Sequence, residues 1–205
     1  MKIWFASNNN HKRRELEAIL NIKLNIPADS GIKFNPDETG MTFTDNALIK
    51  ARDLKKLVDK DDIVISDDSG LCVDALDGRP GVLSARYGEK DGKKPNSLQQ
   101  NLLLLEELGD NTNRNAHFVC TMVIMFEHDR FIIVQETING EIIKSSGLPR
   151  GDGGFGYDPV FLVPELGRTF AELSSEEKNR ISHRGKAAKI IAGILKDIWL
   201  WQNLM

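Results

Sequence analysis

The chain opens on a short apolar run, Ile3-Trp4-Phe5-Ala6, that breaks into the polar residues Ser7-Asn8-Asn9-Asn10-His11. A compact apolar run bounded by turn residues predicts a buried strand. Leu16, Ile19 and Leu20 then recur at helical spacing behind Lys12, Arg13, Arg14 and Glu15, which predicts a helix with one buried face. A loop rich in Pro, Asp and Gly runs to Gly40. Thr42 or Thr44 caps a second helix reaching about Val58, with Ala47, Leu48, Ala51, Leu54 and Leu57 on its apolar face. Asp59-Lys60-Asp61-Asp62 turns the chain into a second buried strand, Ile63-Val64-Ile65. Strand, helix, helix, strand is an α/β order rather than an all-β one.

The middle of the chain carries an apolar segment from Leu71 to Leu76 and a turn from Asp77 to Gly81. A third helix is predicted from about Ser97 to Leu108. Alternation in Ala116 to Phe126 and Phe131 to Ile138, joined across Glu127-His128-Asp129-Arg130, predicts an antiparallel hairpin. Gly140-Glu141-Ile142-Ile143 extends the sheet. Ser145 to Asp158 is Gly-rich, yet Phe155 and Tyr157 within it point to order. Ile190, Ile191, Ile194, Leu195, Ile198 and Trp199 space the segment Ile190 to Leu204 as a helix against the core. Without an internal repeat or a linker-like shift in composition, the pattern predicts one mixed α/β domain over residues 1–205.

Composition narrows the classes of function. With 40% hydrophobic and 28% charged residues, the chain is neither disordered nor fibrous. At this length about 70% of the unfolded surface can be buried, so the core needs no disulfide or metal. Cys72 and Cys120 sit among apolar neighbours and read as buried, reduced thiols. Lys and Arg number 27 against 30 Asp and Glu, a net charge of −3 that argues against coating nucleic acid. It does not argue against an anionic small molecule, which needs only a few placed cations. No apolar run reaches the ~18 residues of a membrane span, and the apolar N-terminus is too short for a secretory signal. The expectation is a cytoplasmic protein with no membrane partner.

Four stretches could carry chemistry. Ser66-Asp67-Asp68-Ser69-Gly70 follows the strand Ile63-Val64-Ile65 and reads as a turn at its C-terminal end, where α/β sheets open a crevice. In a turn one carboxylate can face a ligand while the other braces the loop. A hard cation such as Mg2+ uses one or two carboxylates. The same residues also suit a plain acidic turn. Ser7 to Lys12 joins a strand to a helix N-terminus and suits an anion, or is simply a polar turn, and it lacks P-loop spacing. Gly153-Gly154-Phe155-Gly156-Tyr157-Asp158-Pro159 lets backbone and ring approach a planar ligand, with Asp158 accepting from an N–H edge; a structural turn reads equally well. Ser182-His183-Arg184-Gly185-Lys186-Ala187 gathers cationic side chains at a helix start, with Lys178 just upstream; a solvated basic helix start reads equally well.

These blocks, with Glu38-Thr39-Gly40-Met41-Thr42-Phe43, Asn46-Ala47, Lys50-Ala51-Arg52, Gly78-Arg79-Pro80-Gly81, Ser84-Ala85-Arg86-Tyr87 and Ala171-Glu172-Leu173, run in a familiar order. From residue 7 to 187 the chain resembles the inosine triphosphate pyrophosphatases, which clear ITP, dITP and XTP. Asp45 stands where that family commonly has Glu, and residues 20–36 show no match.

The resemblance implies an α/β fold, two-lobed, around a long twisted mixed β-sheet flanked by helices, a homodimer, and a requirement for Mg2+. It implies that Asp68 is the general base and, with Glu38, a metal ligand. Ser7, Asn8, Asn9, Asn10, His11, Lys12, Lys50 and Ser69 would bind the triphosphate. Phe155, Gly156, Tyr157, Asp158, Lys178, His183 and Arg184 would recognise the base. Two other readings stay open on sequence: a pyrophosphatase for other modified nucleotides, and a sensor that binds a nucleotide without cleaving it.

Overall fold

The computed structural model describes residues 1–144 and 148–202, with side chains described to residue 198. Ser145, Leu204 and the Trp199 side chain, each part of a predicted segment, lie outside that range. Six strands form one sheet in chain order: β1 (Ile3–Phe5), β2 (Ile63–Val73), β3 (Asn115–Glu127), β4 (Arg130–Ile142), β5 (Phe161–Val163) and β6 (Arg168–Thr169). β1 and β2 pair in parallel, while β4–β5 and β5–β6 pair antiparallel, so the sheet is mixed. The helices are α1 (Asn10–Leu20), α2 (Phe43–Lys55), α3 (Ser97–Leu108), α4 (Ser175–Ile181) and α5 (His183–Gln202). Among the described residues no helix is long and apolar enough to cross a membrane.

The chain divides into two compact units, one of residues 1–68, 120–136 and 183 onward, the other of residues 69–119 and 137–182. In the first unit the sheet carries a separate core on each face, as strand alternation requires. Ile3, Phe5, Ile63, Ile65, Cys120 and Met122 pack with Leu16 of α1 and Ala187, Ala188, Ile191 and Leu195 of α5. Trp4, Ala6, Val64, Val123 and Met125 pack with Ala47, Ala51 and Leu54 of α2. The second unit has one core, where Leu104, Leu105 and Leu108 of α3 meet Leu71, Val73, Phe118, Tyr157, Phe161 and Phe170.

Three sequence expectations are corrected. The strand predicted as Ile63-Val64-Ile65 continues to Val73, so Ser66 to Gly70 is the middle of an 11-residue strand, not a turn at its end. The polar residues hold strand geometry because partners meet them on both faces, as Ser66 shows by donating its hydroxyl to the Ala47 carbonyl at 2.6 Å. The second helix ends at Lys55, short of Val58. Its last carbonyls take the Lys56 and Leu57 N–H groups, and Leu57 is left 50% exposed. Cys120 is buried as expected, whereas Cys72 is half-buried. The hairpin is longer than predicted, and β5, β6 and α4 carry too few residues to show a period.

Candidate active site

On β2, Asp67 falls in phase with Ile63 and Ile65, and Asp68 with Val64 and Ser66, so the two carboxylates face opposite sides of the sheet. Asp67, 1% exposed, points to the α1 and α5 side. It accepts from Lys12 Nζ, from Arg184 Nε at 2.9 Å and from the Cys120 thiol at 3.2 Å. Arg184, itself 3% exposed, donates Nη1 to Glu15 at 2.7 Å. Burial by itself would raise the Asp67 pKa, but Arg184 and Lys12 outweigh it and hold the carboxyl well below its ordinary range. Burial and the neighbouring Asp67 push the Cys120 thiol well up. Asp67 is therefore the brace, but it braces two cations rather than a loop.

Asp68 points to the α2 side. Lys50 stands on the buried face of α2 with Asn46, Ala47, Ala51 and Leu54, in phase with the core. Its ammonium donates to Asp68 Oδ1 at 2.6 Å and to Glu38 Oε2 at 2.8 Å. The second Asp68 oxygen, Oδ2, is buried and has no hydrogen-bond partner among the described residues. Burial, aided by Glu38 and opposed by Lys50, raises the Asp68 pKa. Glu38 moves down: burial would raise it, but Lys50 wins. Burial would lower the Lys50 pKa, yet Asp68 and Glu38 keep it raised. The loop that carries Glu38 is tied to α2 where the Gly40 N–H donates to Asn46 Oδ1 at 2.8 Å. A Cβ on Gly40 would lie 2.6 Å from Asp45 Cβ and 2.9 Å from the Asn46 nitrogen, so only glycine fits. Asp45 serves the cap of α2, where Thr42 Oγ1 donates to its carboxylate at 2.7 Å.

The segment from Ser7 to Lys12 is polar as predicted, with much of its hydrogen bonding turned inward. Asn9 caps α1, its Oδ1 accepting from the His11 and Lys12 N–H groups at 2.9 and 3.2 Å. Ser7 Oγ accepts from the Asn9 N–H at 3.1 Å, and the Asn8 amide donates to the Phe34 carbonyl at 3.1 Å. Asn10 and His11 are exposed at the start of α1, and Ser69 is half-buried, next along β2.

In the second unit, Asp158 organises the glycine-rich loop. Its Oδ2 accepts from the Phe155 N–H at 2.7 Å and from Lys178 Nζ of α4 at 2.7 Å. Lys178 also lies 4.9 Å from the centre of the Phe155 ring. Gly154 has φ +69, and a Cβ there would stand 2.0 Å from Asp158 Oδ2, which leaves glycine alone. Gly156 is likewise at positive φ, and Tyr157 donates its hydroxyl to the Ser84 carbonyl at 2.9 Å. Phe155, Gly156, Tyr157, Asp158 and Lys178 are thus brought together. Arg184, expected with them, has its described bonds to Asp67 and Glu15, and His183 lies buried beside it as the first residue of α5.

Sequence reasoning gave no role to Glu15 or to the buried amides Gln100 and Asn101 of α3. The signal was present for the latter two, since they share a helical face with Leu104, Leu105 and Leu108. Among the described residues no group of three or more His, Cys, Asp or Glu is placed to hold a metal, so Glu38 and Asp68 are a two-carboxylate set.

Comparison with known proteins adds to this geometry. The profile of the Ham1 family matches residues 3–193. A dITP/XTP pyrophosphatase of Treponema denticola is 47% identical over 197 residues, covering 96% of this chain and 99% of its own. One of the same description from Clostridium perfringens is 41% identical over 206 residues, covering 96% of this chain and 98% of its own. The solved structure of the Staphylococcus aureus Ham1 protein superposes with a TM-score of 0.82 at 36% identity, over 96% of this chain and 99% of that one.

Proposed function

The chain belongs to the Ham1 family, and from that premise we propose that it hydrolyses non-standard purine nucleoside triphosphates, ITP, dITP and XTP, to the monophosphate and pyrophosphate. Such an enzyme cleanses the nucleotide pool. The observation that carries the reading is Asp68: one oxygen is held by Lys50 beside Glu38, and the other is buried without a partner.

Two carboxylates converging on one cation suit a divalent ion, and the unpartnered Asp68 oxygen supplies a ligand position. We assign Glu38 and Asp68 to Mg2+, which takes one or two carboxylates and shares its other positions with water and phosphate. Bound there, the ion would neutralise charge on the phosphate oxygens. Lys50 and Lys12 bring fixed positive charge to the triphosphate, with Ser7, Asn8, Asn9, Asn10, His11 and Ser69 as further polar contacts. Asp68 orients a water and takes its proton as the water attacks in line, and the α–β anhydride breaks with pyrophosphate leaving.

Base selection follows from hydrogen bonding. Hypoxanthine and xanthine offer a 6-oxo acceptor and an N1–H donor, whereas adenine offers an amino donor and a bare N1. In the second unit, Phe155 is suited to stack on the base with Lys178 as a donor beside it; His183 and Arg184 of the first unit, the latter oriented by Asp67 and Glu15, are further candidate donors. Leaving such donors unpaired against adenine costs about 1–3 kcal/mol. A homodimer working in the cytoplasm completes the proposal.

The test is pyrophosphate release from ITP, XTP, GTP, ATP and dUTP with Mg2+. Turnover of ITP and XTP well above the other three is expected. Preference for dUTP or ATP, or binding without release of pyrophosphate, would overturn the reading.

A further inference from the structure

The loop proposed to hold the base is anchored residue by residue. Asp158 accepts from the Phe155 N–H, Lys178 neutralises Asp158, and the Tyr157 hydroxyl reaches the Ser84 carbonyl. Gly156 is anchored from elsewhere. Its carbonyl accepts from Asn101 Nδ2 of α3 at 3.1 Å. Next to Asn101, Gln100 donates Nε2 to the Tyr87 carbonyl at 3.1 Å and lies within 3.5 Å of the Ser84 carbonyl that Tyr157 also uses.

Asn101 is a poor choice for packing. It is 2% exposed on a helix face shared with Gln100 and three leucines, and among the described residues its Oδ1 is buried with no hydrogen-bond partner. A buried amide with half its capacity unmet is destabilising, and an apolar side chain of similar volume would suit the surrounding core better. What Asn101 supplies that leucine would not is the N–H that fixes the Gly156 carbonyl. Gly156 has φ +64 and no side chain; the Asp158 N–H closes the turn onto the Phe155 carbonyl at 3.3 Å, and the Asn101 amide holds the Gly156 carbonyl within it. We infer that Asn101 is a positioning residue for base recognition: it does not touch the base, but through the Gly156 carbonyl it sets the plane of the Gly156–Tyr157 peptide, one residue from Phe155. The inference rests on the proposed role of Phe155–Asp158 in holding the base.

The experiment compares Asn101→Leu, Asn101→Asp and Phe155→Ala with the parent chain, reading the thermal midpoint together with kcat and KM for ITP and ATP. In Asn101→Leu the midpoint is expected to hold or rise, while KM for ITP increases roughly 2- to 10-fold and the ITP-over-ATP ratio falls by a similar factor. A residue with a merely structural role would lose activity only in step with its midpoint. Asn101→Asp keeps the shape but replaces the donor with an acceptor, so it should show the same loss, and it carries the test if the leucine variant does not fold. Parent-like KM and preference in either folded variant, with Phe155→Ala impaired in preference, overturn the role of Asn101 alone. Unchanged preference in Phe155→Ala overturns the base-site reading and this inference with it.

Discussion

Asp67 and Asp68 are chemically identical neighbours whose surroundings push their acidities in opposite directions. Asp67 is enclosed by Lys12, Arg184 and Cys120 and stays ionised as a counter-charge. Asp68 keeps one oxygen without a partner and a raised pKa, the properties of a group that receives a proton. Removing one partner from a buried charge set strands the others. Asp67→Asn should therefore destabilise the fold by about 3–5 kcal/mol, seen in chemical denaturation. A variant within 1 kcal/mol of the parent, by the same order-of-magnitude scale, would show that Lys12 and Arg184 do not depend on it. His183→Ala should erode the ITP-over-ATP preference more than it weakens triphosphate binding. An unchanged ratio in competition assays would remove His183 from base selection.

At the scale of elements, what was legible depended on whether a segment follows one period long enough to show it. α3 and the β3–β4 hairpin were readable because their apolar positions recur over a dozen residues. β2 was misread after Ile65 because Ser-Asp-Asp-Ser-Gly looks like a turn in any local window, and only partners distant in sequence keep it extended. The resemblance supplied the proposed site residues, yet the division of Asp67 and Asp68 between the two faces of β2 was not legible, because that division needs the strand. The short helix α4, invisible to periodicity, is held at its start by a capping box between Ser174 and Glu177, with Arg168 on the same carboxylate. Those bonds to Arg168 and to the Ser174 N–H push the Glu177 pKa down to about 2. Since the unfolded value is about 4.3, its stabilising contribution is full above that pH and is lost as pH falls toward 2. The melting temperature of Glu177→Gln should lie below the parent at pH 6 and converge with it near pH 2. Parallel curves across that window would contradict the assignment.

For the whole molecule, composition predicts a chain that can bury enough apolar surface to form its own core. Three clusters of buried side chains supply it, and both cysteines are free. Chelation of divalent ions should therefore abolish turnover and leave the circular dichroism spectrum unchanged, with Mg2+ restoring the rate. Unfolding on chelation would assign the metal a structural role instead. The net charge of −3 also finds its place, because cations meet carboxylates inside the first unit as compact sets, Lys50 with Glu38 and Asp68, and Lys12 and Arg184 with Asp67. Charge that handles a nucleotide is local, and the sum over the surface says little about it. The most direct measurement is pyrophosphate release from XTP by Asp68→Asn beside the parent enzyme. The rate should fall by at least about 100-fold with the fold intact. A folded variant that retains a rate within a few-fold of the parent would contradict the role given to Asp68.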